Sequence, residues 1–383
     1  MNAFVGAMVG LERTLLPLLA EKEFGISSST AALSFIAGFG SVKAIANLYA
    51  GGWAERWGRK PVLVLGWLAG FPVPWVIAWA PSWDWIVVAN LLLGLNQGLA
   101  WSMTVVMKVD LAGPKRRGLA LGLNEFAGYL SVAFVAWFSG YLASIYGPRP
   151  LPFVVGGIIA LVGLLLSGFV VRETKDYLAL ERGGNPELAV CGEGVWTGLW
   201  CNTVQRYGLV RLHQAGFFNN LNDGVVWGLL PLLLAESNLS LSHTSIVVAS
   251  YPATWGILQT VTGHLSDLYG RGPLITGGMM VQAIGLGIVA SGSTFLPWLV
   301  ANLFLGVGTA MVYPTLIAAI NDQVSPGERT GAIGAYRFWR DAGYVAGALG
   351  GGALADLIGL RGAFWVVACL TALSGAASRK KRF

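Results

Sequence analysis

Residues 51–61 read GGWAERWGRKP, and a degraded copy of this stretch, GHLSDLYGRGP, occupies residues 263–273. The two copies lie 212 residues apart, and each separates two long apolar segments. Both are charged, and both have glycine at their first and eighth positions, where a hairpin needs a positive φ angle or a close backbone approach. Each stretch is therefore predicted to be a tight turn that joins two membrane helices on one side of a bilayer.

The offset of 212 residues persists well beyond the two turns. It relates identical residues along each half, among them Asn90 and Asn302, Asp110 and Asp322, Arg117 and Arg329, Gly147 and Gly359, and Arg149 and Arg361. Near the start of each half the offset becomes 214, as for Pro17 and Pro231, which a two-residue difference in a loop explains. A register kept over about a hundred residues predicts a duplicated unit, an arrangement common among secondary transporters.

The paired turns carry a family resemblance. The loop signature of the major facilitator superfamily resembles the pattern formed here by Gly51, Glu55, Arg56, Gly58 and Arg59 and by its weaker copy, Gly263, Asp267, Gly270 and Arg271. The resemblance covers nearly the whole chain and implies twelve helices in two six-helix bundles that work by alternating access. It also implies that the turns latch the cytoplasmic side shut, with carboxylates at helix N-termini and arginines bridging to neighbouring loops.

Three further stretches, 108–114, 122–129 and 336–344, resemble a bacterial branch of that superfamily whose substrates are mostly unassigned. The chain also departs from the patterns of the superfamily. Gly94 occupies the position of an arginine in helix 4, and helix 5 lacks the Gly-Pro kink associated with drug antiporters. These departures weaken an inference of drug efflux.

The composition is that of a polytopic membrane protein. Hydrophobic residues make up 55% and charged residues 11% of the 383 residues, and the mean hydropathy is +0.63. Soluble globular proteins carry about 25% charged residues. Because a spanning helix needs about 20 residues, twelve spans are expected to fill the chain and to leave no room for a separate soluble domain. The three cysteines are too few and too scattered for a disulfide framework or a tetrahedral metal site.

The sequence therefore predicts an all-α membrane protein with three parts: an N-terminal six-helix bundle at 1–171, a cytoplasmic linker at 172–210, and a C-terminal six-helix bundle at 211–383 that ends in a short basic tail. The predicted helices are 2–20, 30–52, 61–82, 84–107, 118–142, 150–171, 211–234, 243–265, 273–293, 296–320, 331–355 and 360–378. Eighteen of the 25 Lys and Arg residues fall in alternate loops on one face, which predicts cytoplasmic termini and linker in a bacterial inner membrane. The net charge of +6 thus reflects topology and gives no support to nucleic-acid binding.

Charged residues also fall inside the predicted helices, namely Glu12, Arg13, Lys43, Glu125, Asp223, Arg337, Arg340 and Asp341. A charge at the centre of a membrane helix costs about 2.5 to 3.5 kcal/mol, so these side chains are expected to face one another or water in the interior. They form either ion pairs that hold the bundles together or a path for substrate and coupling ion. We favour the path for the set as a whole.

Helix 11 offers the densest group of these charges. Arg337, Arg340 and Asp341 share one helix face, and Arg337 is predicted to pair with Asp341 one turn away. Arg340 would then lack a partner and bind an anionic group of the substrate, or it would pair with Glu125 or Asp223 as a salt-bridge gate. The 212-residue offset relates Glu125 to Arg337, which suits a pair that forms and breaks between states.

Other side chains complete the candidate site. Asn219 shares a helix face with Asp223, whereas Glu12 and Arg13 point about 100° apart, so that one is expected to meet the cavity and the other a neighbouring helix. Amides more often link helices and aromatic rings more often pack, but both types can also contact a solute. The further candidates for such contacts are Lys43, Asn124, Trp101 and Tyr313.

A buried carboxylate is the usual carrier of a coupled proton, because burial favours its neutral form while a nearby cation favours its charged form. The candidates are Glu12, Glu125 and Asp223, with the last two preferred. Lys43 can instead hold one of them permanently charged.

The leading hypothesis is a monomeric secondary active transporter that moves a small polar or anionic solute, with protons as the candidate coupling ion. The alternative is a sensor or assembly protein that keeps the carrier fold without transporting. An enzyme is not supported, since the three histidines are scattered and no nucleophile motif is found in a suitable context. We predict no cofactor and no metal site.

Overall fold

The computed structural model describes residues 1–112, 117–175, 195–205, 207–324 and 329–378. These residues are almost entirely helical and contain no β-strand. We number their long helices in chain order: α1 Asn2–Lys22, α2 Ser34–Trp57, α3 Arg59–Ala78, α4 Trp83–Ala112, α5 Arg117–Tyr146, α6 Leu151–Val170, α7 Tyr207–Glu236, α8 Leu241–Tyr269, α9 Arg271–Ser291, α10 Phe295–Gln323, α11 329–358 and α12 360–378. The predicted all-α fold is confirmed, with the predicted helices in the predicted order.

Most of the helices are built to cross a membrane. Eight segments of the described residues are long and apolar enough by length and composition, and one of these, Gly331–Ser378, contains both α11 and α12. Helices α2, α7 and α8 are as long but contain more polar residues, among them Lys43 and Asp223. Most of the predicted linker, at 176–194 and 206, lies outside the described residues, as does the basic tail at 379–383.

Glycine ends α2 and α8 in the same way. Gly58 has φ 100° and Gly270 has φ 87°, a region that favours glycine, and each lies between two helices. Gly51 and Gly263 are predicted to lie in the turns as well, which is wrong. Both lie inside helices that continue for six more residues, because nothing stops a helix before the residue with positive φ.

The two halves share more than their turns. Arg59 Nε donates to Asp110 Oδ2 over 3.3 Å, and Arg271 Nε donates to Asp322 Oδ2 over 3.0 Å. All four positions obey the 212-residue offset, so the same ion pair is built twice. The duplicated unit that the sequence predicts is therefore visible in side-chain contacts.

Glu173 stabilises the turn between α2 and α3. Its carboxylate accepts the backbone N–H groups of Arg59 and Lys60, each over 3.0 Å, at the start of α3. Burial acts to raise the pKa of the Glu173 carboxyl, but these backbone donors outweigh it and hold the pKa below its ordinary value. A carboxylate at this position stabilises the first turn of α3.

The halves meet along two helix pairs, α2 with α11 and α5 with α8, and their packing loosens from one end to the other. We call the end at which α1, α3 and α5 begin the terminal end and the other the opposite end. A β-carbon placed on Gly140 would lie 2.4 Å from Ser245 Cβ at the opposite end. One on Gly256 would lie 3.1 Å from Tyr129 Cβ, and one on Gly122 would have no neighbour closer than 3.9 Å.

The pair α2 and α11 shows the same gradient. At the opposite end, a β-carbon on Gly352 would lie 2.7 Å from Thr30 Cα, and one on Gly40 would lie 2.9 Å from Tyr344 Cβ. At the terminal end, a β-carbon on Gly51, Gly52 or Gly334 would meet nothing within 4 Å. The halves are therefore closed on each other at the opposite end and apart at the terminal end.

A carboxylate near the end of α11 holds the opposite end together. Asp356 accepts the N–H groups of Ser29 and Thr30 over 2.6 and 3.1 Å, and the hydroxyls of Ser28 and Thr30 over 2.8 and 2.7 Å. These donors lie at the N-terminus of the short helix Ser29–Ala32, where a carboxylate is favoured. We call this contact between the halves the Asp356 clasp.

We predict that Gly352→Ala destabilises the protein whereas Gly52→Ala does not. The added methyl group at residue 352 meets the backbone of Thr30, and such overpacking costs about 1 to 3 kcal/mol. The same change at residue 52 meets open space and improves helix propensity. Thermal unfolding in detergent micelles is the measurement, and equal midpoints for the two variants would contradict the packing gradient.

Candidate functional site

The first buried ion pair joins α1 to α7 across the halves. Arg13 Nη2 donates to both carboxylate oxygens of Asp223, over 2.8 and 2.9 Å, and the side chains are 4% and 0% exposed. Tyr344 of α11 also donates its hydroxyl to Asp223. Three helices are thus tied to one carboxylate.

The second ion pair joins α2 to α11. Lys43 Nζ lies 3.2 Å from Asp341 Oδ1, and Asn47 Nδ2 donates to Asp341 Oδ2. The predicted pair of Arg337 with Asp341 does not form, because Asp341 points across the interface at α2 rather than along its own helix. Arg337 instead donates to Ser102 Oγ of α4 over 3.2 Å.

Arg340 lies beside these pairs and is less well compensated. Its side chain is 7% exposed, and the nearest carboxylate oxygen, Asp341 Oδ1, is 3.8 Å from Nη1. Nη2 donates to the Tyr129 hydroxyl over 3.3 Å, and the guanidinium lies 4.4 Å from the centre of the Tyr313 ring. Its Nε has no hydrogen-bond partner among the described residues. The predicted shortage of partners at Arg340 is thus found, although Lys43 rather than Arg337 takes Asp341.

Glu125 is held by neutral donors from both halves. Trp101 Nε1 of α4 donates to Oε1 over 2.8 Å, and the Tyr313 hydroxyl of α10 donates to Oε2 over 3.3 Å. Trp101 and Tyr313 are related by the 212-residue offset, so equivalent positions of the two halves grip one carboxylate. No ion pair within 4 Å links Glu125 to Arg337 among the described residues.

The local shape of α4 helps to present Trp101. The residues Gln97–Trp101 form a π-helical turn within the otherwise α-helical α4. Such turns are rare and shift the register of the side chains that follow, often at functional sites. This one places the Trp101 indole against both Glu125 and the ring of Tyr129, whose centre is 5.2 Å away.

Other candidate residues lie away from the interface or at its edge. Glu12 is fully buried within the first half, with Asn90 as a polar neighbour, and its carboxylate oxygens have no hydrogen-bond partner among the described residues. Asn219 accepts from Gln282 of α9 over 3.0 Å, so it links helices within the second half and does not share the surroundings of Asp223. Asn124 donates to Glu125 Oε1 over 3.3 Å and is fully buried.

Sequence reasoning missed several residues of this site. Tyr129 and Trp255 have ring centres 3.6 Å apart and surround Arg340 together with Tyr313. The repeat contained a signal for both, since the offset relates Tyr129 to Asp341 and Trp255 to Lys43. A search for the residue that the offset relates to each interior charge would have identified both.

The residues of the two paired turns make contacts within their own halves. Arg59 and Arg271 pair with Asp110 and Asp322, and Arg271 also bridges to Asp267. Glu55 and Arg56 are exposed at the terminal end. Because the halves are apart at that end, the predicted latch between them remains a prediction.

We predict that Arg13→Met and Asp223→Leu are each destabilising and that the double variant recovers much of the loss. Removing one partner leaves a buried charge alone, which costs about 3 to 5 kcal/mol, whereas removing both leaves an apolar contact. Unfolding by SDS titration measures the three variants. A double variant as unstable as the sum of the single ones would contradict the direct pairing.

Comparison with known proteins agrees with the fold. The sequence matches the family model described as Major Facilitator Superfamily over residues 2–210 and 213–380. It is 24% identical over 385 residues to the multi-drug resistance efflux pump PmrA of Streptococcus pneumoniae, covering 97% of this chain and 92% of that protein.

Two solved structures share the architecture at low sequence identity. The nucleoside transporter NupG aligns with a TM-score of 0.79 at 11% identity, covering 98% of this chain and 97% of NupG. The human organic anion transporter MFSD10 aligns with a TM-score of 0.70 at 18% identity, covering 98% of each chain. The protein is therefore a multi-pass membrane transporter that belongs to the major facilitator superfamily.

Proposed function

We propose that this protein is a monomeric secondary active transporter that moves a small polar or anionic solute across a bacterial inner membrane by alternating access. The observation that carries the proposal is the position of the buried charges. Arg13 and Asp223, and Lys43 and Asp341, lie in opposite halves and pair across the interface. A polar interface inside an otherwise apolar bundle costs stability and is retained where a polar solute must pass.

The packing gradient supports the alternation of access. The opposite end is closed by close glycine contacts and by the Asp356 clasp, whereas the terminal end is apart. Gly51 and Gly263 have no packing role in this state, because a β-carbon on either meets nothing within 4 Å. Glycine at these positions is explained if α2 and α8 approach other helices when the terminal end closes.

The direction of opening follows from charge. Most of the basic loop residues belong to the terminal end, and such loops are retained in the cytoplasm. We therefore assign both termini to the cytoplasm and this structure to a state that is open to the cytoplasm. The names of the relatives, a multi-drug efflux pump, a nucleoside transporter and an organic anion transporter, support a small organic solute without fixing the direction of transport.

Glu125 is our candidate for proton coupling. Asp223 has both carboxylate oxygens bound by Arg13. Glu12 lies in a dry site within one half, so it does not respond directly to the relative position of the halves. Glu125 does, since one of its donors, Tyr313, belongs to the other half. The distance between Tyr313 and the Glu125 carboxylate therefore depends on how the halves are placed.

We predict that Gly51→Leu slows the opening of the opposite end about tenfold or more, because a side chain at residue 51 obstructs the closure that must precede it. The measurement is the rate at which a membrane-impermeant maleimide labels Ala32→Cys, a buried position at the opposite end. The background replaces Cys191, Cys201 and Cys369 with serine. Gly350→Leu, whose side chain also meets open space, is the matched control. Equal labelling rates in both variants would contradict alternating access and would favour a protein that keeps the fold without transporting.

We predict that Glu125→Gln removes the pH dependence of this labelling rate. A group that gains or loses a proton between the two states makes the rate, corrected for thiol reactivity, depend on pH, and glutamine at residue 125 cannot titrate. Among the described residues, the charged and titratable groups that interact with Glu125 are Lys108, Tyr129 and Tyr313. An unchanged pH response in Glu125→Gln would assign the proton to another group.

A further inference from the structure

The charges at the interface do not balance. Apart from the solvent-exposed Asp356 clasp, and within the described spans, the charged side chains where the halves meet are Arg13, Lys43, Arg337 and Arg340 against Asp223, Asp341 and Glu125. Two ion pairs use two charges of each sign, and Glu125 is bound by neutral donors. The interface therefore holds one positive charge in excess, in a region where an uncompensated charge is costly.

Arg340 is the buried cation whose charge is least compensated, and it is therefore the candidate to bind a ligand. It has one hydrogen bond to a phenol, a carboxylate no closer than 3.8 Å, and an Nε with no partner among the described residues. A guanidinium presents a planar set of donors that suits a carboxylate. Arg337, three residues earlier and only half-buried, adds a second cation on the side of the open terminal end.

The surroundings of Arg340 are aromatic rather than polar. Tyr129, Trp255 and Tyr313 surround it, and the half-buried Trp101 extends this group, with its ring centre 5.2 Å from that of Tyr129. Of the nearby polar side chains, Asn47 is bound to Asp341 and Ser102 to Asn47, whereas the Trp255 indole N–H and the Tyr336 hydroxyl have no hydrogen-bond partner among the described residues. These isolated groups lie among aromatic rings, a setting that suits a carboxylate attached to a ring better than a sugar with many hydroxyls.

Building on the proposed function, we propose that the transported solute is an aromatic carboxylate, a flat ring that bears one negative charge. Its carboxylate binds the Arg340 guanidinium and balances the interface. Its ring packs against the indole of Trp101, the half-buried ring of this group. Stacking of rings and attraction between a cation and ring faces then act in the same site.

The test uses the purified, unmodified protein and four probes of matched size or charge: benzoate, cyclohexanecarboxylate, benzamide and acetate. Binding is followed by quenching of tryptophan fluorescence and by isothermal titration calorimetry. We expect benzoate to bind tightest, cyclohexanecarboxylate to bind about three- to tenfold more weakly, and benzamide about tenfold or more weakly because it lacks the charge. Equal affinity for benzoate and benzamide, or for benzoate and cyclohexanecarboxylate, would overturn the assignment.

Variants locate the site. Arg340→Lys keeps the charge but loses the planar donors, and is expected to weaken benzoate binding about tenfold. Lys22→Gln, which removes a cation from an exposed position on α1, is the matched control and is expected to bind benzoate normally. Trp101→Leu is expected to weaken benzoate while leaving acetate unchanged. Full benzoate affinity in Arg340→Lys would place the anion elsewhere and overturn the assignment.

The maleimide-labelling rate of Ala32→Cys separates this inference from the function on which it rests. If labelling shows that the opposite end opens and none of the four probes binds, the substrate class is overturned and alternating access stands. If benzoate binds through Arg340 and slows or speeds labelling, both stand. If benzoate binds through Arg340 while the opposite end never opens, the site is supported as a binding site and the transport proposal fails.

Discussion

The structure depends on a constraint that an apolar environment imposes: a buried charge must meet an opposite charge, and here the partner lies in the other half. Arg13 has its carboxylate on α7, and Lys43 has its carboxylate on α11. Removing either partner alone would leave a buried charge that costs about 3 to 5 kcal/mol. Each half is therefore incomplete by itself, and the polar side chains that complete it line the surface along which the halves move.

The duplication accounts for the framework that the two halves share, and divergence between the halves accounts for the different side chains at the interface. The ion pair of Arg59 with Asp110 is repeated by Arg271 and Asp322 without change, and it fixes the loops of each half. At the interface, positions related by the 212-residue offset hold different residues. Lys43 corresponds to Trp255, Glu125 to Arg337, and Tyr129 to Asp341. Identical residues at all of these positions would place like charges near one another, so the asymmetry is what allows the halves to attract.

Sequence reasoning predicted the fold and most of the interface, because the hydrophobic period of the helices, the 212-residue repeat and the few charged residues within apolar segments can all be read from the chain itself. It could not predict partners. Arg337 and Asp341 are correctly spaced for an ion pair on one helix, yet Asp341 turns to Lys43 because α2 lies against that face. Asn219 shares a helix face with Asp223 but bonds Gln282. The rotation of each helix against its neighbours decides such choices, and it is set by the packing of the whole bundle rather than by local spacing.

The strengths of the contacts indicate which of them yield when the halves move. Each hydrogen bond of the solvent-exposed Asp356 clasp contributes about 1 kcal/mol, and the 3.3 Å bond from Tyr313 to Glu125 is longer, and so weaker, than an ordinary bond between a hydroxyl and a carboxylate. The buried pairs of Arg13 with Asp223 and Lys43 with Asp341 cost several times more to separate. A motion that releases the clasp and the Tyr313 bond while keeping both ion pairs is therefore the cheapest available. The ion pairs then act as the pivot between the two ends rather than as a gate, and Glu125 lies close enough to that pivot to gain or lose a donor with a small rotation.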